Sequence, residues 1–232
     1  MQISKRADVP DLDVRRVRGN VIEQRQISPD GYHLILARDG VDVEAGRLVT
    51  LHGRSLVEDR SYTVVSGERD EHIEVLYRLI PTGVLTPQLA ALQSGDTIEW
   101  SGPYGQFVLR DPARPIWFIA TGTGIAPCRS YIRTHPNLDI TILHGVRHTA
   151  ELYFRDEFSS YKYHPCLSAD TAPDCHSGRV TQRLKDIHCP LEAHYYLCGA
   201  YEMIYEVQDM LLDKGVSPDH IFNEGYYYRL DP

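Results

Sequence analysis

The chain has 232 residues, 42% hydrophobic and 24% charged, with 17 Gly and 14 Pro, an ordinary globular usage that excludes a disordered or fibrous protein. Its net charge of −8 comes without any Lys/Arg run, which argues against a nucleic-acid partner because an acidic surface repels phosphate backbones. No apolar run approaches the roughly 20 residues of a membrane helix, and residues 1–10 lack a signal-peptide core. Five scattered cysteines, Cys128, Cys166, Cys175, Cys189 and Cys198, form neither a disulfide frame nor a Cys-x-x-Cys metal site. The expectation is a soluble, cytoplasmic monomer without a metal, built as one large domain or two of about 110 residues.

Residues 14–109 read as short β-branched runs broken by turn residues. Strands are expected at 14–26, 32–38, 47–51, 60–65, 72–79 and 96–101, with breakers such as Ser28-Pro29-Asp30-Gly31, Arg38-Asp39-Gly40 and Ser66-Gly67 between them. Six strands at this spacing suggest a small antiparallel barrel. One helix interrupts them: Thr86-Pro87 cap and start it, Leu89 and Leu92 face inward, and Ser94-Gly95 end it.

After Arg110-Asp111-Pro112-Ala113-Arg114-Pro115 apolar runs alternate with helical stretches. Strands are expected at 116–120, 140–145 and 195–198 and helices at 126–133, 151–160 and 202–214, the pattern of a doubly wound parallel α/β sheet. The proline pair divides the chain into a barrel at 14–110 and an α/β domain at 111–232.

The first of these apolar strands runs into Thr121-Gly122-Thr123-Gly124 and then into a helix through Ile125-Ala126-Pro127. Such a turn exposes N–H groups at a helix start, and its glycines let a pyrophosphate approach; a plain tight turn fits the same residues. The acid that an ordinary dinucleotide fold carries about 20 residues later is absent, its place taken by His144-Gly145-Val146-Arg147.

Together with five other segments this one resembles the ferredoxin–NADP reductase superfamily, in which a flavin barrel precedes a nicotinamide domain. Arg60-Ser61-Tyr62-Thr63 looks like the Arg-x-Tyr-[Ser/Thr] flavin motif. The resemblance implies that Arg60 neutralises a flavin phosphate, Tyr62 lies against the isoalloxazine and the Thr63 hydroxyl bonds N5. Tyr77-Arg78-Leu79-Ile80 and Thr82-Gly83-Val84-Leu85-Thr86 are similar to the strand and phosphate turn that follow, so Tyr77, Leu79, Gly83, Val84, Leu85 and Thr86 are implied flavin contacts; Thr86 also reads as an N-cap. Leu197-Cys198-Gly199, leading to Met203, resembles the Cys-Gly that sits beside the nicotinamide, and Glu224-Gly225-Tyr226 resembles the closing Glu-x-aromatic. There the carboxylate serves proton delivery and the ring stacks on the flavin, with Tyr227 and Tyr228 as rivals to Tyr226. Gly102-Pro103-Tyr104-Gly105-Gln106-Phe107 looks like the Gly-Pro-x-Gly-x-Phe turn of oxygenase reductases, with Phe107 packing near the interdomain crevice.

The resemblance further implies a six-stranded antiparallel flavin-binding β-barrel followed by a doubly wound α/β nicotinamide domain, FAD as cofactor, and a catalytic set of Thr63, Cys198, Glu224 and Tyr226. It places NAD(P) on Thr121, Gly122, Thr123, Gly124, Pro127, Arg147, Ser168, Arg179, Cys198, Gly199 and Met203. In NADP-dependent relatives the third strand end carries an arginine after a Ser/Thr, where Ala169 stands here beside Asp170; Arg147 and Arg179 against that one acid put NADPH slightly ahead of NADH. The implied reaction passes a hydride between NAD(P)H and flavin N5, then single electrons to a separate carrier, ferredoxin or flavodoxin, since the length leaves no room for a third module. An NAD(P)H:flavin reductase, an oxygenase reductase component or a non-catalytic electron-transfer subunit are the competing readings.

Overall fold

The computed structural model describes residues 16–54 and 58–226. The first six strands, β1 (Val17–Gln26), β2 (Gly31–Ala37), β3 (Leu48–Leu51), β4 (Arg60–Thr63), β5 (His72–Arg78) and β6 (Thr97–Tyr104), form one antiparallel sheet in the order β4-β3-β6-β1-β2-β5. An isolated antiparallel bridge between Val64 and Val75 brings the two edges together, so the sheet curls into a nearly closed barrel. Alternation decides what each strand buries. On β2 and β5, Leu34, Leu36, Ile73, Val75 and Tyr77 fill the barrel, whereas His33, Glu74 and Leu76 are buried on the opposite face, against the second domain. Helix α1 (Leu85–Ala90) contributes Leu85 and Leu89 to the barrel core, with Leu92 packed against it.

The second sheet is parallel throughout and ordered β10-β9-β8-β7-β11-β12. Its strands are β7 (Ile116–Thr121), β8 (Ile140–Val146), β9 (Lys162–Leu167), β10 (His176–Ser177), β11 (His194–Ala200) and β12 (Ile221–Tyr226). Helices α2 (Ala126–Thr134) and α3 (Arg155–Phe158) cover one face, and α4 (Val180–Lys185) and α5 (Tyr201–Asp213) the other. From β7 the chain builds outward through β10, then returns to lay β11 on the other side of β7. The order therefore reverses between β7 and β11, and a crevice opens beyond their carboxyl ends, where open α/β sheets hold ligands.

Several elements depart from the sequence expectation. Strands β9, β10 and β12 and helix α4 were not anticipated, and the expected helix 151–160 is split. A 3₁₀ turn occupies Thr149–Glu151, Phe154 sits at φ 56°, and α3 spans Arg155–Phe158 alone. Val84, not Thr86, occupies the N-cap position of α1, because the Thr86 hydroxyl is spent on the Ile80 backbone, accepting from its N–H at 2.9 Å and donating to its carbonyl at 3.2 Å. Strand β6 runs on to Tyr104, and β5 stops at Arg78. No helix among the described residues is long and apolar enough to cross a membrane.

Candidate active site

The barrel and the parallel sheet meet at the end of β4, and there the four candidate catalytic residues converge. The Thr63 hydroxyl donates to Glu224 Oε2 at 2.9 Å and lies 2.9 Å from the Tyr226 hydroxyl. With Thr63 donating to the carboxylate, Tyr226 is the donor to Thr63, giving a chain Tyr226, Thr63, Glu224. Cys198 stands opposite Glu224 in the β11–β12 register and is fully buried. Burial and the neighbouring Glu224 hold its thiol well above the usual value, so it stays neutral. Burial also raises the Glu224 carboxyl, to about 7, against the opposing hydrogen bond from Thr63. The cluster thus contains one group that changes charge near neutral pH.

Barrel residues implied as flavin contacts fall into two sets. Arg60 and Ser61 are exposed on β4 beside the half-buried Tyr62, whose ring meets Tyr77 edge-on at 6.1 Å. Gly83 and Val84 lead into α1, where no side chain caps the first turn. Its N–H groups and the Arg60 guanidinium are a donor set suited to a phosphate, and the FAD that this barrel would hold fits them. Tyr77 corrects the expectation: it is 1% exposed, stacked on Tyr32 at 5.5 Å within the barrel core, so its side chain offers no surface to a flavin. Leu85 is likewise core, and Leu79 is half-buried with its N–H bonded to the Asp30 carbonyl at 2.7 Å. Tyr227 and Tyr228 lie outside the described residues. Phe107 packs among Phe118, Tyr131 and Tyr196, where the two domains meet.

On the α/β side a cleft of about 430 Å³ opens at the β7/β11 crevice. Thr121, Gly122, Arg147, Ser168, Arg179 and Met203 line it. The turn Gly122–Ile125 begins without a side-chain cap, because the natural capping hydroxyl, Thr121 Oγ1, accepts instead from the Ala200 N–H at 2.9 Å. The 3₁₀ bonds of the turn use its later N–H groups and leave the first two, of Gly122 and Thr123, for a ligand, and a Cβ on Gly122, at φ 55°, would meet nothing within 4 Å. Gly199 is at φ 131°, and a Cβ there would fall 2.3 Å from Thr121 Oγ1; only glycine lets the two strand ends approach this closely. A nicotinamide nucleotide fits this donor set. Thr123, Gly124 and Pro127 are buried in the turn rather than on the cleft wall.

Asp170, the acid expected to oppose a 2′-phosphate, is engaged elsewhere. One carboxylate oxygen accepts from the Thr149 N–H at 3.2 Å and hydroxyl at 2.7 Å, the other from the Thr171 N–H at 2.9 Å, and the Thr149 bonds lower its pKa. Sequence reasoning missed Glu151, Glu202 and Glu206, which line the cleft as acids, and did not assign Arg78 to it. Arg78 reaches it from the barrel while its Nε donates to Asp30 at 2.7 Å. Glu202 and Glu206 sit four apart on α5 and share a face with Met203, the one signal that could have found them.

A flavin-type barrel joined at its reactive edge to a nucleotide-binding parallel sheet defines a two-domain flavin oxidoreductase. Residues 18–109 match the oxidoreductase FAD-binding domain and residues 118–209 the oxidoreductase NAD-binding domain. The chain belongs to the ferredoxin–NADP reductase superfamily of FAD-dependent oxidoreductases. It is 27% identical over 198 residues to the toluate 1,2-dioxygenase electron transfer component of Pseudomonas putida, covering 78% of this chain and 58% of that one. Among solved structures, a cytochrome P450 reductase from Amycolatopsis superposes with a TM-score of 0.83 at 27% identity, over 91% of this chain and 70% of the other. A ferredoxin NADP+ reductase from Neisseria gonorrhoeae with bound FAD and NADP shares the fold, with a TM-score of 0.82 at 23% identity over 91% and 99% of the chains. The chain spans 41% to 58% of the length of the curated relatives it matches.

Proposed function

We propose that this protein oxidises NADPH, accepts NADH less well, and delivers electrons one at a time to a separate carrier of the ferredoxin or flavodoxin kind. Bound FAD supplies the conversion from hydride to single electrons. The observation that carries the reading is the Tyr226–Thr63–Glu224 chain, with Cys198 opposite Glu224, built across the junction of the two domains. In it Thr63 presents a hydroxyl at the flavin edge, Glu224 holds the proton and Tyr226 covers the place the nicotinamide must enter, while the small neutral Cys198 lets the ring approach. Arg60, Ser61, Tyr62, Leu79 and the 83–86 turn hold the flavin from the barrel side. On the other side, Thr121 and Gly122, with the first N–H groups of the turn they open, receive the pyrophosphate. Neither the Arg147 nor the Arg179 guanidinium has an ion-pair partner among the described residues, which supports the preference for a 2′-phosphate, while Asp170, kept ionised by Thr149, opposes it.

The test is an anaerobic titration of the flavin-loaded protein, with NADPH and then NADH in separate cuvettes. Bleaching of the flavin absorption by NADPH at a lower concentration than by NADH is expected, and an unchanged spectrum with both would overturn the hydride step. A second reading, the reductase component of an oxygenase, is favoured by the likeness to the dioxygenase and P450 reductases. A carrier screen separates them: turnover with an oxygenase but not with ferredoxin or flavodoxin selects the second.

A further inference from the structure

Behind the phosphate turn stands a side chain that the reaction itself does not touch. His144 lies in the middle of β8, flanked in register by Ala120 on β7 and Pro165 on β9, and is wholly buried. Its Nε2 is 2.9 Å from the Gly122 carbonyl oxygen, and its Nδ1 is 3.2 Å from the Tyr163 hydroxyl. A carbonyl only accepts, so Nε2 carries the proton; Nδ1 is then an acceptor, and Tyr163 donates to it. Burial holds the ring neutral by lowering its pKa to about 4, with the Gly122 bond opposing.

The geometry has a consequence for the cleft. In a trans peptide the C=O and N–H bonds point in opposite directions. Tying the Gly122 carbonyl back toward the sheet therefore turns the Thr123 N–H away from it. The tether adds to the 3₁₀ bond that the Gly122 carbonyl accepts within the turn, and it matters because glycine at φ 55° has no Cβ to hinder rotation of its flanking peptides. We infer that His144 is a positioning residue of the nucleotide site, fixing the Gly122–Thr123 peptide so that the N–H donor at the start of the 122–125 turn is preorganised for the pyrophosphate of the nicotinamide nucleotide. The assignment rests on the reading of that turn as the phosphate site, and the experiment separates the two.

NADP+ is titrated into the flavin-loaded protein and its Kd read from the flavin difference spectrum. His144→Phe keeps a buried ring but removes the donor, and weakens NADP+ binding roughly 5- to 30-fold, the equivalent of one hydrogen bond. His144→Gln places an amide N–H near the position of Nε2 and restores the affinity to within about threefold. Equal affinity of His144→Phe and the unaltered protein overturns the inference, and so does a His144→Gln variant as weak as His144→Phe. Should His144→Phe fail to fold, Tyr163→Phe frees Nδ1 and loses roughly 2- to 5-fold in NADP+ affinity, with no loss counting against the proposal. Nitrogen-15 spectra of the unaltered protein give an independent readout: an Nε2–H tautomer at pH 7 whose ring stays neutral down to about pH 5 is required, and an Nδ1–H tautomer sinks it. Gly122→Asn, tolerated at positive φ, pushes a side chain into the cleft. Normal NADP+ binding by that variant defeats the phosphate-site reading, whereas its loss beside normal binding by His144→Phe defeats only the role of His144.

Discussion

At the scale of single residues, the site turns on how its surroundings set one carboxyl. Glu224 is half-buried at the domain junction, and losing water raises its pKa from 4.5 to about 7. A raised carboxyl pKa means that the folded chain binds this proton more tightly than the unfolded one. The contribution to stability is present below about 4.5 and is lost as pH rises through about 7. Near neutrality Glu224 is divided between its two forms, which suits a group that must both take up and release a proton. Steady-state turnover with a one-electron acceptor should therefore show an inflection near pH 7. Glu224→Gln should remove that inflection and lower turnover by about 100-fold. Thr63→Val, which deletes the one hydrogen bond that lowers this pKa, should move the inflection upward. An inflection that survives in Glu224→Gln places the proton on another group.

The elements that carry these residues differ in how openly the sequence declares them. Strands β7, β8 and β11 are buried along almost their whole length, so apolar residues dominate there, with His144, Thr141 and His194 as buried exceptions, and the runs are plain. Strand β9 has the same sheet position but reads Lys-Tyr-His-Pro-Cys-Leu, with a proline opposite His144, and no periodicity announces it. Strand β12 is a half-buried sheet edge with Gly225 in it, so the segment was legible as a motif and not as a strand. Helix α3 is short because Phe154 takes a left-handed conformation that few bulky residues adopt. Thr63, Cys198, Glu224 and Tyr226 were readable because each belongs to a short motif that the family resemblance carries, the last three beside a glycine. His144 and Arg129 were not, since their partners are a backbone carbonyl and a residue 55 positions away, brought near by topology alone. The edge position of β12 has a functional side as well. Tyr226, at its end, lies against Thr63, in the place that the proposed function gives to the nicotinamide ring. If the nucleotide binds as proposed, it must displace Tyr226, at a cost set by the population of the open form. Tyr226→Ser should tighten NADP+ binding by about 10-fold in a flavin difference titration, and unchanged affinity would show that the ring does not compete.

On the scale of the whole molecule, the catalytic chain exists only while the barrel and the sheet hold one relative position, and helix α2 secures it. Arg129, 5% exposed, reaches across to Glu74 at 2.6 Å and to the Val65 carbonyl at 3.1 Å, while Glu157 holds its Nε at 3.0 Å and the Phe154 ring lies 4.2 Å from its guanidinium carbon. His33 adds a second bond to Glu74 at 2.9 Å, and neighbouring Ser130 and Arg133 bind the Ser66 carbonyl and Asp70 at 2.6 and 2.7 Å. Burial alone would raise the Glu74 carboxyl, yet the bonds from His33 and Arg129 bring it to about 2. A depressed carboxyl contributes stability that is present above its unfolded value of 4.5 and lost as pH falls toward about 2. Removing one partner of such a group is worse than removing both, because it strands a buried charge. Arg129→Met should thus destabilise the protein by about 3 to 5 kcal/mol in denaturant unfolding, and adding Glu74→Gln should return a large part of the loss. On the proposed function the same loosening should slow hydride transfer, because Thr63 of the barrel and Glu224 of the sheet then lose their register. Strict additivity of the two substitutions would mean that Arg129 and Glu74 act separately, and that packing alone holds the two domains in register.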